Sequence, residues 1–331
     1  MKRYNRGEAQ QKMNELAQQN RPFVFIISYN QENVYIEETT HIDPNEALFA
    51  FPKFNNIPHN AVPNLDPVEW KVEVPNRQTY EKSIEHIKQN QRAGNSYLAN
   101  LTCRVPIETN LSLRDIFLRS DAMYRCYVKD EFVCFSPEIF VRIDNHTIRS
   151  FPMKGTISAT LPDAENQLLS NAKEAAEHAT IVDLIRNDLS IVANQVRVEK
   201  YRYIDRLTTN KGEILQTSSE IAGNILPEYQ NHIGDLLFAL LPAGSITGAP
   251  KPRTMQIIEE AEGYNRDFYT GVMGHYADGT LDSAVMIRFI DTDHQHLYYK
   301  AGGGITAQSN NDDEYNEVVA KVYLPIINKG N

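Results

Sequence analysis

Basic residues are in short supply in this 331-residue chain. Its 33 Lys and Arg face 43 Asp and Glu, for a net charge of −10. That balance excludes a general nucleic-acid surface or an anionic-membrane surface. An anionic small substrate would need a local cation or a metal ion to offset the global field. Cysteine is nearly absent: Cys103, Cys126 and Cys134 form no CxxC, and an odd count argues against a disulfide framework. No apolar run is long enough to span a bilayer and no signal-like leader is visible, so the expected compartment is the reducing cytoplasm. Internal repeats and low-complexity segments are missing as well. What is present is the 41% apolar and 23% charged composition of a soluble globular protein, long enough for a large core.

The pattern along the chain predicts an α+β fold. Residues 1–75, read as a short N-terminal part of the same fold, open with a helix over Glu8–Gln19 and two strands near Phe23–Ile27 and Asn33–Glu37. Phe51–Pro75 is rich in Pro and Asn and reads as a loose connection. Residues 76–331 are the remaining region, in which the chemically suggestive runs fall. There the pattern predicts a helix at Thr79–Arg92 stopped by Gly94, a strand at Ser96–Val105, and strand pairs at 124–128 with 132–136 and 140–143 with 147–151. One long helix is expected over Asp163–Asn187. Strands follow at 196–198, 284–290 and 297–299, and helices at 233–241, 251–262 and 313–323. Strands and helices come in blocks, which favours antiparallel sheet over βαβ alternation.

Chemistry concentrates in a few runs. In Ser150-Phe-Pro-Met-Lys-Gly-Thr-Ile157, Pro152 fixes φ and Gly155 permits positive φ, which holds Lys154 at a bend among apolar neighbours. Desolvation there would lower the amine's pKa and free a lone pair for nucleophilic attack. A solvated loop lysine is the better reading of an isolated Pro-x-Lys-Gly, so the other runs decide. Leu240–Met255 strings together Gly244, Gly248, Pro250 and Pro252 ahead of an amphipathic helix, with Thr247 or Gly248 as the expected cap and an anion at the helix start. The spacing fails as a Walker A loop, because three residues separate the glycines and Lys251 does not directly follow the second. Glu174 with Glu177, and Glu314 with Glu317, each sit three apart on a helix; two such pairs can converge on Mg²⁺, although either alone also fits a solvated face. Asp183, Arg186, Asn187 and Asp188 are too polar for a plain core helix and read as end-of-helix contacts. Gly302, Gly303 and Gly304 suggest a close backbone approach and an N–H nest for an anion, or simply a tight turn. Arg288 could fork onto a carboxylate or pair with Asp282 or Asp291. Glu138 and Lys154 lie on strands either side of the Asp144-Asn145 turn, and antiparallel pairing would bring them into one pocket, where a buried Glu138 could stay protonated as a general acid.

The set Ser136-Pro-Glu-Ile-Phe, Pro152-Met-Lys-Gly-Thr, Glu177–Asp188, Pro242–Lys251, Gly302-Gly-Gly-Ile and Glu314-Tyr-Asn-Glu317, in this order, resembles the chorismate-utilising enzymes: anthranilate synthase component I, aminodeoxychorismate synthase component I, and the isochorismate and salicylate synthases. The likeness runs over residues 78–327. It implies one large domain of antiparallel sheets packed face to face with helices outside. Lys154 stands where anthranilate synthases carry Ala, which implies the aminodeoxychorismate branch. The family mechanism then makes Lys154 the nucleophile at ring C2 and Glu138 the acid for the departing 4-hydroxyl. It also makes Glu174, Glu177, Glu314 and Glu317 the Mg²⁺ ligands, and Ser245, Thr247, Tyr269, Arg288, Gly302, Gly303, Gly304 and Lys321 the chorismate contacts. Ammonia would come from a separate glutamine amidotransferase subunit, and the product would feed 4-aminobenzoate and folate. Three departures stand out. Leu98 replaces the family's Gln or Lys, Gln216 replaces a frequent His, and the short N-terminal part predicts no feedback inhibition by tryptophan. The alternatives are anthranilate synthase component I and a non-catalytic amidotransferase-binding scaffold.

Overall fold

Two antiparallel sheets lie face to face in the computed structural model, which describes residues 1–209, 212–293 and 296–326. Among those residues the first sheet has ten strands. Its order runs Lys2–Tyr4, Val34–Glu38, Phe23–Ile27, Val272–Ala277, Thr280–Val285, Ile139–Asp144, Thr147–Ser150, Gly212–Ile225 and Met153–Ser158, with Ala193–Thr209 also paired to Gly212–Ile225. The second has nine: Gly248–Ala249, Leu98–Thr109, His296–Ile305, Phe289–Asp293, Phe132–Ser136, Tyr124–Val128, Ala47–Phe51 and Phe54–Asn55, with Trp70–Val72 alongside Leu98–Thr109. The α+β architecture expected from the blocked pattern is the one observed. The first 75 residues supply strands to both sheets.

Among the described residues, eight helices cover the outer faces: α1 (Arg6–Gln18), α2 (Arg77–Arg92), α3 (Leu113–Arg119), α4 (Ala164–Ser170), α5 (Ala172–Leu189), α6 (Ile233–Leu240), α7 (Lys251–Glu262) and α8 (Asn311–Ala320). Apolar residues of α1, α5 and α6 pack on the first sheet. Those of α2, α3, α7 and α8 pack on the second. Between the sheets, Val24 and Ile26 meet Phe49, Cys126, Cys134 and Phe289 in a third apolar layer. Strands buried on both faces need apolar side chains at successive positions, which is why Phe23–Ile27 shows no alternation. α1 starts on an Asn5–Glu8 capping box and α2 on Asn76.

Four local readings need correction. The expected long helix breaks at Asn171, whose extended backbone ends α4 and whose side chain accepts from the Glu174 N–H at 3.1 Å. The cap puts Glu174 in the first turn of α5. The strand expected over 284–290 also breaks: Met286–Arg288 carries the chain from one sheet to the other, and Arg288 takes φ +56° at the crossing. The helix after the Gly/Pro run begins at Lys251 with Pro250 as N-cap and no side-chain cap, so neither Thr247 nor Gly248 caps it. Gly248 instead pairs with Ala99 at φ +115°, where a Cβ would collide with the Leu98 carbonyl. Finally, Gly302–Gly304 lies inside the strand His296–Ile305, paired with Thr102, Leu101 and Asn100. A laddered strand makes no N–H nest; the glycines remove side chains from one stretch of sheet.

Candidate active site

The sheets exchange strands at one seam, and the seam carries chemistry. Ser136-Pro137-Glu138 leaves the second sheet for the first, beside Met286–Arg288 running the other way. Phe135 N–H donates to the Arg288 carbonyl at 3.1 Å and Val285 N–H to that of Glu138 at 3.0 Å. Glu138 and Arg288 are thereby fixed side by side by backbone bonds. Ser245 Oγ donates to Glu138 Oε1 at 2.6 Å. Burial pushes the Glu138 carboxyl up, against Ser245, Arg288, Lys321 and Lys154, and the net shift is upward.

Lys154 reaches this field by another route than the one expected. The ladder around Asp144-Asn145 covers only Arg142–Asp144 with Thr147–Arg149. Beyond Pro152 the strand Met153–Ser158 pairs with Gly212–Ile225, placing Lys154 opposite Thr217. A bulge at Gly155 (φ +77°) follows, and a Cβ there would stand 2.8 Å from Glu174 Oε2. Lys154 Nζ pairs with Glu177 Oε2 at 2.9 Å. Burial pulls the amine's pKa down, as the sequence suggests, but Glu177, Glu317 and Glu174 outweigh it and the net shift is upward. In this arrangement Lys154 is an ammonium, not the free amine expected from desolvation alone.

The four glutamates of α5 and α8 act on the same group of lysines. Lys321 Nζ pairs with Glu317 Oε1 at 2.6 Å and donates to the Gly302 carbonyl at 2.9 Å. Lys173 Nζ stands 3.9 Å from Glu177 Oε1. Glu314 is buried and pushed upward, by burial first and then by Glu317. Burial raises Glu317 too, but Lys321, Lys154 and Lys173 bring it below its ordinary value. A Cβ on Gly303 would lie 3.6 Å from Glu314 and 3.7 Å from Glu317, so the bare strand is the floor beneath them. Among the described residues, no three His, Cys, Asp or Glu side chains stand close enough together to hold a metal ion. Yet Glu174 Oε2 is buried with no hydrogen-bond partner, a carboxylate oxygen suited to a cation.

The other expected contacts divide. Arg288 sits with its guanidinium 5.8 Å from the Tyr323 ring centre, and electrostatics link it to Tyr269 and Glu138. Thr247 is fully buried and its hydroxyl donates to the Ala243 carbonyl at 2.9 Å, so it braces its own turn. Tyr269 is buried, its hydroxyl pushed up by desolvation. Leu98 approaches the same floor, its Cδ1 3.4 Å from where a Gly304 Cβ would be. Gln216 is paired across from Thr156, next to the Lys154 strand's bulge. Arg266 was not singled out by the sequence. It is buried, pairs with Glu262, and donates to the carbonyls of Ile246 (3.0 Å) and Asn100 (2.6 Å). A charge in a Tyr-Asn-Arg-Asp turn reads as surface, and no local pattern marks it otherwise.

A sequence profile of the family described as chorismate binding enzyme matches residues 28–326. Over 313 residues the chain is 48% identical to an uncharacterized PabA-like protein of Haemophilus influenzae, covering 95% of each. It is 32% identical over 262 residues to aminodeoxychorismate synthase component 1 of Escherichia coli, spanning 74% of this chain and 56% of that one. The solved anthranilate synthase component I from Streptococcus pneumoniae matches with a TM-score of 0.66 at 30% identity, over 80% of this chain and 61% of that one. The menaquinone-specific isochorismate synthase from Escherichia coli shares the fold, with a TM-score of 0.71 at 15% identity, over 97% and 82% of the two chains. The chain belongs to the chorismate binding enzyme family. No helix among the described residues is long and apolar enough to cross a membrane.

Proposed function

We propose that this chain aminates chorismate to 4-amino-4-deoxychorismate, as an aminodeoxychorismate synthase component I. The observation that carries the reading is a lysine in one electrostatic field with a raised, half-buried glutamic acid, Lys154 with Glu138. Lys154 first loses a proton to solvent and regains it when it is released at the end of the cycle. The amine then attacks ring C2, the ring double bond shifts, and the 4-hydroxyl leaves as water with the proton of Glu138. Ammonia attacks C4, the double bond shifts back, and the C2–N bond to Lys154 breaks. The proton shed by the new ammonium restores Glu138. Chorismate and ammonia go in; aminodeoxychorismate and water come out.

Mg²⁺ would be held by Glu174, Glu177, Glu314 and Glu317, and when bound it supplies positive charge for a ring carboxylate. With Glu177 so engaged, the largest charge opposing burial at Lys154 would be offset, which would favour the neutral amine. Ser245, Arg288, Lys321 and the Gly302–Gly304 floor are the substrate contacts. A separate glutamine amidotransferase supplies ammonia, since burial raises all three thiols here, Cys103 to about 12, and leaves no activated thiolate.

Incubation with chorismate, Mg²⁺ and an ammonium salt, with the product identified by mass and spectrum, tests the reading. Aminodeoxychorismate is expected, lost in Lys154→Ala and in excess chelator. Anthranilate with pyruvate would assign the other synthase. No consumption of chorismate would favour the scaffold.

A further inference from the structure

The general acid is held by a turn, and the turn is held from behind. Ser245, which bonds Glu138, sits in the short Gly244–Ile246 turn ahead of α7. Asp188, the penultimate residue of α5, lies behind that turn and lines the same cleft as Glu138 and Ser245. Its carboxylate accepts the Gly244 backbone N–H and pairs with Lys251 Nζ at 2.8 Å. Lys251 also donates to the Leu240 carbonyl at 2.9 Å, so the one ion pair ties together both ends of the run from Leu240 to Lys251. The fit is tight: a Cβ on Gly244 would stand 2.6 Å from Asp188 Oδ2 and 3.1 Å from Leu184 Cγ. Neither partner is open to solvent, with side-chain exposures of 13% for Asp188 and 17% for Lys251.

We infer that Asp188, paired with Lys251, is a positioning residue for Glu138: it holds the Gly244–Ile246 turn so that Ser245 stays hydrogen-bonded to the acid. The inference rests on Glu138 as the proton donor. Asp188 touches no reacting atom; it acts through Gly244 and Ser245. A hydrogen bond to the Glu138 anion favours the anion, so loosening Ser245 raises the pH at which Glu138 titrates. The other groups acting on Glu138 are Arg288 at the sheet crossing, Lys321 at the end of α8 and Lys154, and none is altered by the change.

Asp188→Asn strands a buried Lys251 charge, which can unfold the chain. The double variant Asp188→Asn with Lys251→Met removes both charges and keeps the test alive. Two readouts are taken on these variants, on Ser245→Ala and on their combinations. One is the pH profile of chorismate consumption, whatever the product. The other is the infrared difference titration of the Glu138 carboxyl, with Glu138→Gln as the subtraction. In the Asp188 variants Glu138 is expected to titrate at higher pH, as in Ser245→Ala. The kcat should fall about tenfold, a fraction of what a general acid contributes, with KM within about twofold. Adding Ser245→Ala should then cost less than about twofold more. Asp188 variants that leave the titration and the profile at the wild-type positions, or whose effects multiply with those of Ser245→Ala, overturn the inference. A wild-type protein that consumes no chorismate, while Asp188→Asn still moves the Glu138 titration, rejects the functional reading and keeps the positioning role.

Discussion

Replacing Glu177 with Gln isolates the largest charge acting on Lys154. The two charged atoms are 2.9 Å apart, which corresponds to about 6 kcal/mol at an effective dielectric of 20 and about 1.5 kcal/mol at 80. A third of the lysine side chain and a quarter of the glutamate remain exposed, so the lower part of that range applies. About 2 kcal/mol is roughly 1.5 pH units of amine titration. The sign is definite. Glu177 favours the ammonium and burial disfavours it, so removing Glu177 shifts the balance toward burial and the amine becomes neutral at lower pH than in the wild type. The assay is reductive methylation of metal-free protein across pH in chelator, with Lys154 followed by peptide mass. Half-modification of Lys154 is expected about one to two units lower in Glu177→Gln, with distant surface lysines unchanged. An identical pH midpoint in both proteins would refute the claim that this carboxylate sets the charge of the nucleophile.

Two further outcomes follow from the same geometry. Catalysis that needs protonated Glu138 should decline as pH rises through a value above the ordinary glutamate range, and Glu138→Gln should abolish that limb of the kcat profile along with most turnover. Gly302→Ala places a methyl 2.6 Å from Thr102 Cγ2 and 2.7 Å from the Leu101 carbonyl, so it should cost about 1–3 kcal/mol of stability, read as a lower Tm; the same change at Gly303, where the nearest atom is 3.6 Å away, should leave Tm within about a degree or two.

Many of the elements were legible because runs such as Phe132–Ser136 and α7 are bounded by strong local signals. The errors fall where local signals mislead. Ala284–Ile290 is apolar except for Arg288, and nothing in its pattern marks a change of sheet. Gly302–Gly304 looks like a turn because glycines usually mark one; here the partner strand Leu98–Thr109 supplies the pairing that keeps it extended. Lys154 was found by its neighbours Pro152 and Gly155, but its charge could not be. Burial was legible from Phe151, Met153 and Ile157, whereas the opposing carboxylates arrive from helices 20 and about 160 residues further along.

Residue identity and order by themselves determined the inventory: which side chains can attack, donate a proton or bind a cation, and which family they resemble. Local periodicity also set most of the helices and strands, because 3.6- and 2-residue repeats are properties of the chain alone. Tertiary structure decided everything that depends on distance. It set which carboxylate neutralises Lys154, that Ser245 reaches Glu138, and that Asp188 and Lys251 close the turn between them. Coulomb and hydrogen-bond energies depend on separations of a few ångströms between groups far apart in sequence, and only the packed sheets and helices supply those separations.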